Sequence, residues 1–280
     1  MPHESDAARP QERQCAPLVR TRGNRRTLEF QPGDIQSEML LSRPDALVLE
    51  YARAMMCFVL FVPQPRHILM VGLGGGSLVK FCHRHLPHTR ITVLEISAEV
   101  IALRDQFHIP PDDARLRIVH ADAADYIAAM PASADVILVD GFDAAGMPAA
   151  LGSAAFYAAC RRALRDGGVL VANLLSYDPH YAALQERIHA AFGGRVCQFE
   201  GIAGNNHILF ALRAPARPGP ASGSGPASAA AAARYVRYAR YARLARWGAI
   251  HPPRPILLPV RLLNRLLARL VVAWLAWRPV

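Results

Sequence analysis

Between His67 and Leu212 the chain alternates short apolar runs with segments of helical periodicity. His67–Val71 is apolar at four successive positions, the mark of a short strand buried on both faces. Arg90–Leu94, Leu116–Val119, Asp135–Val139 and Val169–Leu174 repeat that signature. Helical patterns lie between them, at about Ser77–His85, Ala98–Phe107, Ala123–Met130 and Ser153–Leu164. A further helix, about His180–Phe192, precedes two final strands, Arg195–Glu200 and His207–Leu212. This alternation predicts an α/β fold of parallel strands with right-handed crossovers, a doubly wound sheet. Only Gly201–Asn206 separates the closing strands, too little for a crossover, so they are expected to form an antiparallel hairpin.

Upstream the rhythm differs. Leu18–Leu41 reads as short strands turning at Arg22-Gly23-Asn24 and Pro32-Gly33-Asp34. Ala46–Val62 reads as one helix, ended by Pro63 and Pro65. The domain expectation is therefore a disordered start (1–16), a β region plus helix (17–65) and a Rossmann-like nucleoside-binding domain (66–212). A Pro/Gly/Ser/Ala linker (213–233) and a basic apolar tail (234–280) follow. The first five strands and their helices are complete by Leu212. The tail is accordingly expected to add nothing to the fold, so a chain cut there should stay folded.

Charge changes this picture in one respect. The net charge of +10 comes from the tail, because residues 213–280 hold twelve arginines and no acid. The other 212 residues hold twenty basic and twenty-two acidic groups, so the body is weakly acidic and nucleic acid is not an expected partner. The five cysteines are scattered and lack CxxC spacing, which predicts reduced thiols in a cytoplasmic protein. Met1–Gln14 has no apolar run, so no signal peptide is expected.

The candidate chemistry sits at successive strand ends. Gly72-Leu73-Gly74-Gly75-Gly76 joins the first buried strand to a helix, where glycines permit close backbone approach and free N–H groups face a ligand. Glu95 ends the next strand, where a carboxylate can take both hydroxyls of a ribose. Asp122 follows the third strand, where an acid can accept from an adenine amino group. Each acid could equally be a strand-end cap, and an NAD enzyme would share the first two features.

With these residues in view, the sequence resembles the spermidine/spermine synthase (polyamine aminopropyltransferase) family, as a divergent member. The matching stretches are Gly33–Ser37, Glu50–Met56, Val71–Ser77, Leu94–Ile96, Ala121–Ala123, Val136–Asp143 and Phe156–Val171. The resemblance implies a small N-terminal β region before a Rossmann-like, S-adenosylmethionine-dependent methyltransferase-type sheet. It implies transfer of an aminopropyl group from decarboxylated S-adenosylmethionine to an amine, releasing methylthioadenosine. By position, Gly72, Gly74, Gly75, Gly76, Glu95, Asp122 and Ala123 would hold the donor. Asp140 would be the catalytic acid-base group. Asp143, Gln36 and Arg53 would meet the acceptor, with a structural ion pair as the equal alternative for Arg53. No metal is implied.

Three positions depart from the family. Gly75 stands where the family carries an aspartate for the donor's ammonium, Arg53 where it has a histidine near the polyamine, and Ala144 where a proline follows the second acid. Loss of the acid at Gly75 would ease entry of ordinary S-adenosylmethionine, whose carboxylate it would repel. A methyltransferase of the same fold is therefore the second expectation, and a non-catalytic nucleoside-binding relative the third. Asn173, at the fifth strand's end, faces either the acceptor or simply the strand terminus. His83, His85 and His88 read as helix-end residues rather than metal ligands.

In the tail, Arg234 to Arg246 recur every third residue with tyrosines between, which gives no single basic face. From Leu257 to Ala276, Arg261, Arg265 and Arg269 recur every fourth residue in an apolar segment closed by Trp274 and Trp277. That is the pattern of an interfacial amphipathic helix, so peripheral contact with an anionic membrane is a further expectation. Oligomerisation through identical copies is compatible with the sequence but not specified by it.

Overall fold

In the computed structural model, residues 16–143, 146–214 and 258–277 are described. The expected disordered start, Ala144, most of the linker and the arginine–tyrosine repeat lie outside them.

Three antiparallel strands open the chain: β1 (Leu18–Arg22), β2 (Arg25–Glu29) and β3 (Ile35–Leu40), in spatial order β1-β2-β3. Gly23, at φ 54°, makes the first turn. α1 (Glu50–Met55) and a 3-10 turn (Met56–Leu60) follow, instead of one helix over Ala46–Val62. Met56, Cys57, Phe58 and Val59 are all buried. Four successive side chains point in all directions around such a turn, so their common burial means that the core encloses it on every side.

The large sheet contains β4 (His67–Val71), β5 (Arg90–Glu95), β6 (Leu116–His120) and β7 (Ala134–Val139). It is completed by β8 (Leu164–Leu175), β9 (Val196–Ala203) and β10 (Asn206–Leu212), and the order is β6-β5-β4-β7-β8-β10-β9. β4 to β8 run parallel, while β10 is antiparallel to both β8 and β9, as the short connection required. Side chains alternate between two cores. Ile68, Met70, Val136 and Leu138 face one layer, and Leu69, Val71, Ile137 and Val139 the other.

The helices are α2 (Ser77–His85), α3 (Ala98–Ala102), α4 (Ala123–Ala128), α5 (Ala154–Ala163) and α6 (Tyr181–Phe192). Ser97 and Ser153 cap α3 and α5 by accepting from Val100 N at 3.2 Å and Phe156 N at 3.0 Å. α3 stops five residues before the expected Phe107, and the chain continues in turns to His108, which is left-handed at φ 53°. Those turns bring the Phe107 ring against the glycine loop.

The tail departs most from expectation. α7 (Leu258–Trp277) packs across β9, α1 and the 3-10 turn. Ala268, Val271 and Leu275 are buried in the same core as β4, and Arg269 Nη2 donates to Glu50 Oε1 at 2.7 Å. Burying Val271 and Leu275 is worth about 2 kcal/mol each. The tail therefore covers the far end of the sheet, and a chain ending at Leu212 would expose that surface.

Candidate active site

The parallel strands end side by side, so whatever follows each one faces a common cavity of about 720 Å³. The turn after β4 is the tightest. Gly72 has φ 92°, and a Cβ there would lie 2.4 Å from the Asp140 carbonyl oxygen, so no other residue fits. Gly72 and Gly74 line the cavity. Gly75 and Gly76, expected at the donor, do not. A Cβ on Gly75 would meet Ser37 Oγ at 2.7 Å and the Phe107 ring at 2.9 Å, and one on Gly76 would meet Ile109 at 2.5 Å. These two glycines serve close packing of α2 rather than a ligand wall.

Glu95 is buried at the end of β5. Its Oε2 accepts from Leu73 N and its Oε1 from Ser97 N, both at 2.8 Å. The carboxylate thus fixes the glycine loop while it lines the cavity. Asp122 caps α4, accepting from Ala124 N at 2.7 Å, and also lines the cavity together with Ala123. The cap and the cavity-facing role coexist, because one carboxylate oxygen satisfies the cap.

Asp140 follows β7. Its Oδ1 accepts from Asn173 Nδ2 at 2.9 Å, and Tyr51 adds a second side-chain hydrogen bond. Burial pushes its carboxyl up to about 6, with Asn173 and Tyr51 opposing the rise. Gln36 O also lies 3.3 Å from the Tyr51 hydroxyl and competes with Asp140 for its single proton, and burial beside Asp140 raises the Tyr51 pKa well above the usual phenol range. Asn173 is 2% exposed, and its Oδ1 has no hydrogen-bond partner among the described residues. Asp143 sits in the next turn, paired through its backbone with Gly146, and lines the cavity beside Gln36 and Asp34. Gln36 Nε2 donates to Asp34 Oδ2 at 2.8 Å.

Arg53 is not at this site. Its guanidinium bonds Leu47 O and pairs with Glu50 Oε1 at 2.9 Å, and it lies outside the cavity lining. The expectation that it meets an acceptor is corrected: Arg53 braces α1, and Glu50 shares its charge with Arg269 of α7. His83 and His85 pair with Asp113 and Asp45 on the far side of α2. Sequence reasoning assigned no role to Tyr51 and left Asn173 open. The one signal for Tyr51 was a hydroxyl-bearing ring in a helix whose two charged residues, Glu50 and Arg53, can pair with each other.

The cavity's charge is one-sided. Asp34, Glu95, Asp122, Asp140 and Asp143 line it, and among the described residues no lysine, arginine or histidine does. Such a surface selects cations.

Comparison with known proteins agrees with this geometry. Residues 49–186 match the model of the spermine/spermidine synthase domain. The polyamine aminopropyltransferase of Chromobacterium violaceum is 41% identical over 192 residues, covering 68% of this chain and 74% of the relative. That of Neisseria meningitidis is 39% identical over 194 residues, covering 69% and 74%. Among solved structures, a probable spermidine synthase from Corynebacterium glutamicum matches with a TM-score of 0.62 at 21% identity, over 86% of this chain and 94% of that one. A spermidine synthase complexed with the transition-state analogue AdoDATO gives 0.54 at 23%, over 70% and 73%. These two structures support the fold.

Proposed function

The chain belongs to the spermine/spermidine synthase family, a family of transferases, and we propose that its cavity moves an aminopropyl group from decarboxylated S-adenosylmethionine to a small polyamine-type acceptor. The observation that carries this reading is the cavity wall of five carboxylates without a basic side chain. The decarboxylated donor and its acceptor are both cations. Ordinary S-adenosylmethionine would bring a carboxylate for which the wall offers no cationic partner.

In this reading Glu95 and Asp122 hold the nucleoside, at the ribose and the adenine. Gly72 and Gly74 allow the donor's sulfur side to approach the backbone. The acceptor amine docks at Asp140, with Asn173 Oδ1 available to a second N–H and Asp143 to a more distant ammonium. The deprotonated amine attacks the carbon beside the sulfonium. The N–C bond forms, the C–S bond breaks, and its electron pair returns to sulfur, giving neutral methylthioadenosine. The amine's proton passes to Asp140, whose raised pKa suits a base near neutrality.

The test is methylthioadenosine release with decarboxylated S-adenosylmethionine and a panel of linear diamines. Release with the diamines is the expected result; none with any amine would sink the reading. A methyltransferase remains the second reading, on the observation that Gly75 carries no acid. It predicts tighter binding of ordinary S-adenosylmethionine, so calorimetry with the two donors side by side separates the two. Buried, unpaired Cys57, Cys82 and Cys160 suit a reducing, cytoplasmic setting. Among the described residues, no helix is long and apolar enough to cross a membrane.

A further inference from the structure

α7 is apolar on both of its long faces. The inner face, around Ala268, Val271 and Leu275, is packed on the body. The opposite face is also apolar. Leu262, Leu266 and Leu270 recur every fourth residue and are 58%, 52% and 58% exposed, and Trp277 at the end is 86% exposed. Six of the eleven large apolar side chains found exposed among the described residues lie on this one helix. Single exposed leucines need no explanation, but a continuous ridge marks a contact surface. A helix whose inner face is already satisfied and whose outer face is apolar has a second environment to enter.

Charge selects that environment. On the helical wheel Arg265 and Arg269 lie along one side of the ridge, Arg269 in an ion pair with Glu50 of α1, and α7 contains no acidic residue. The whole segment 213–280 carries twelve arginines against none. A two-fold pairing of this face with a second copy would bring two arginine-rich segments together, and the carboxylate beside the helix, Glu50, is already taken by Arg53 and Arg269. An anionic lipid surface accepts both features at once, with leucines and tryptophan at the acyl boundary and arginines at the headgroups. We propose that α7 docks the protein on anionic membranes, lying flat with the Leu262–Leu266–Leu270 ridge and Trp277 in the interface. Among the described residues, none of α7 lines the cavity. The docking is independent of which donor the cavity prefers.

All three tryptophans, Trp247, Trp274 and Trp277, lie beyond residue 212, so tryptophan emission reports on the tail alone. Full-length protein would be mixed with vesicles of pure phosphatidylcholine, or with about one-third phosphatidylglycerol added. The expected result is co-sedimentation and a blue shift with the anionic vesicles, weakened in high salt and slight with the neutral ones. Leu266→Glu with Leu270→Glu should cut binding at least about tenfold while the thermal melt and methylthioadenosine binding persist. Should that pair fail to fold, Leu266→Gln with Leu270→Gln serves in its place. Absence of binding to anionic vesicles, or binding unchanged by the substitutions, overturns the proposal. So does conversion of a solution dimer to monomers by the same substitutions without any vesicle binding, which would assign the ridge to a second copy.

Discussion

The two halves of the cavity are built differently. On the nucleoside side, Glu95 and Asp122 are held by backbone N–H groups, from Leu73, Ser97 and Ala124. On the acceptor side, Asp140 is held by side chains alone, Asn173 and Tyr51, in a buried setting that raises its pKa. Backbone donors fix a carboxylate's position, which suits holding hydroxyls and amines. Side-chain partners leave the proton affinity of Asp140 adjustable, which suits proton transfer. In the proposed reading one half holds and the other reacts.

Breaking the reacting half should have the largest effect. Asp140→Asn keeps the shape and the contact with Asn173 but removes the base. Turnover is expected to fall by about 10²–10⁴, with methylthioadenosine affinity within a few-fold of wild type. Turnover that stays near wild type would remove Asp140 from the proton transfer. Breaking the holding half should show the converse split. Glu95→Gln loses the charged acceptor for the ribose and one of the two backbone hydrogen bonds, since an amide NH2 cannot accept, so methylthioadenosine is expected to bind about 10–100-fold less tightly. An unchanged dissociation constant would take the ribose away from Glu95.

The holding half was more legible in the sequence than the reacting half. Glycine loop, Glu95 and Asp122 fall at consecutive strand ends, and strand ends follow from apolar runs that need no tertiary information. Asp140 was implied by the family resemblance. Its partners were not, because Tyr51 reaches Asp140 from α1, nearly ninety residues earlier, and a hydrogen bond across that distance leaves no local trace. Arg53 misled for the related reason that a polar helix residue can face either way, and Glu50 three residues before it turned it outward. The expectation that the tail was dispensable failed at Val271 and Leu275, whose partners on the sheet are remote in sequence.

Gly75 sharpens the comparison from the donor's end, with a middling effect. An aspartate there, if it fitted, would pair with the ammonium of the decarboxylated donor. The structure puts Ser37 Oγ and the Phe107 ring where its Cβ must go. Gly75→Asp alone is therefore expected to weaken both donors together, by about tenfold. Adding Ser37→Gly relieves the nearer contact and should shift the ratio of the two dissociation constants toward the decarboxylated donor. A ratio that stays fixed in the double variant would show that position 75 does not read the donor's charge.

The smallest expected effect concerns the pH at which the reacting half switches on. Asp140 sits at about 6 in the folded protein, above its ordinary value of 3.8. The folded state therefore binds more protons than the unfolded one between those values. This group's contribution to stability falls as pH rises through about 4 to 6, while the fraction ready to accept a proton rises over the upper part of that window. Log kcat/KM should accordingly climb with pH and level off above about 6 to 7. Asn173→Ala removes a donor that favours the charged carboxylate, so the folded pKa rises further and the acid limb moves to higher pH. The shift should be at most about one to two pH units, with kcat at pH 8 within a few-fold of wild type, since one hydrogen bond to a charged group is worth about 1.5–3 kcal/mol and Tyr51 still holds part of the preference. An acid limb that stays in place, or moves to lower pH, would mean that Asn173 does not set the proton affinity of Asp140 and that the unpartnered Oδ1 is its main contribution.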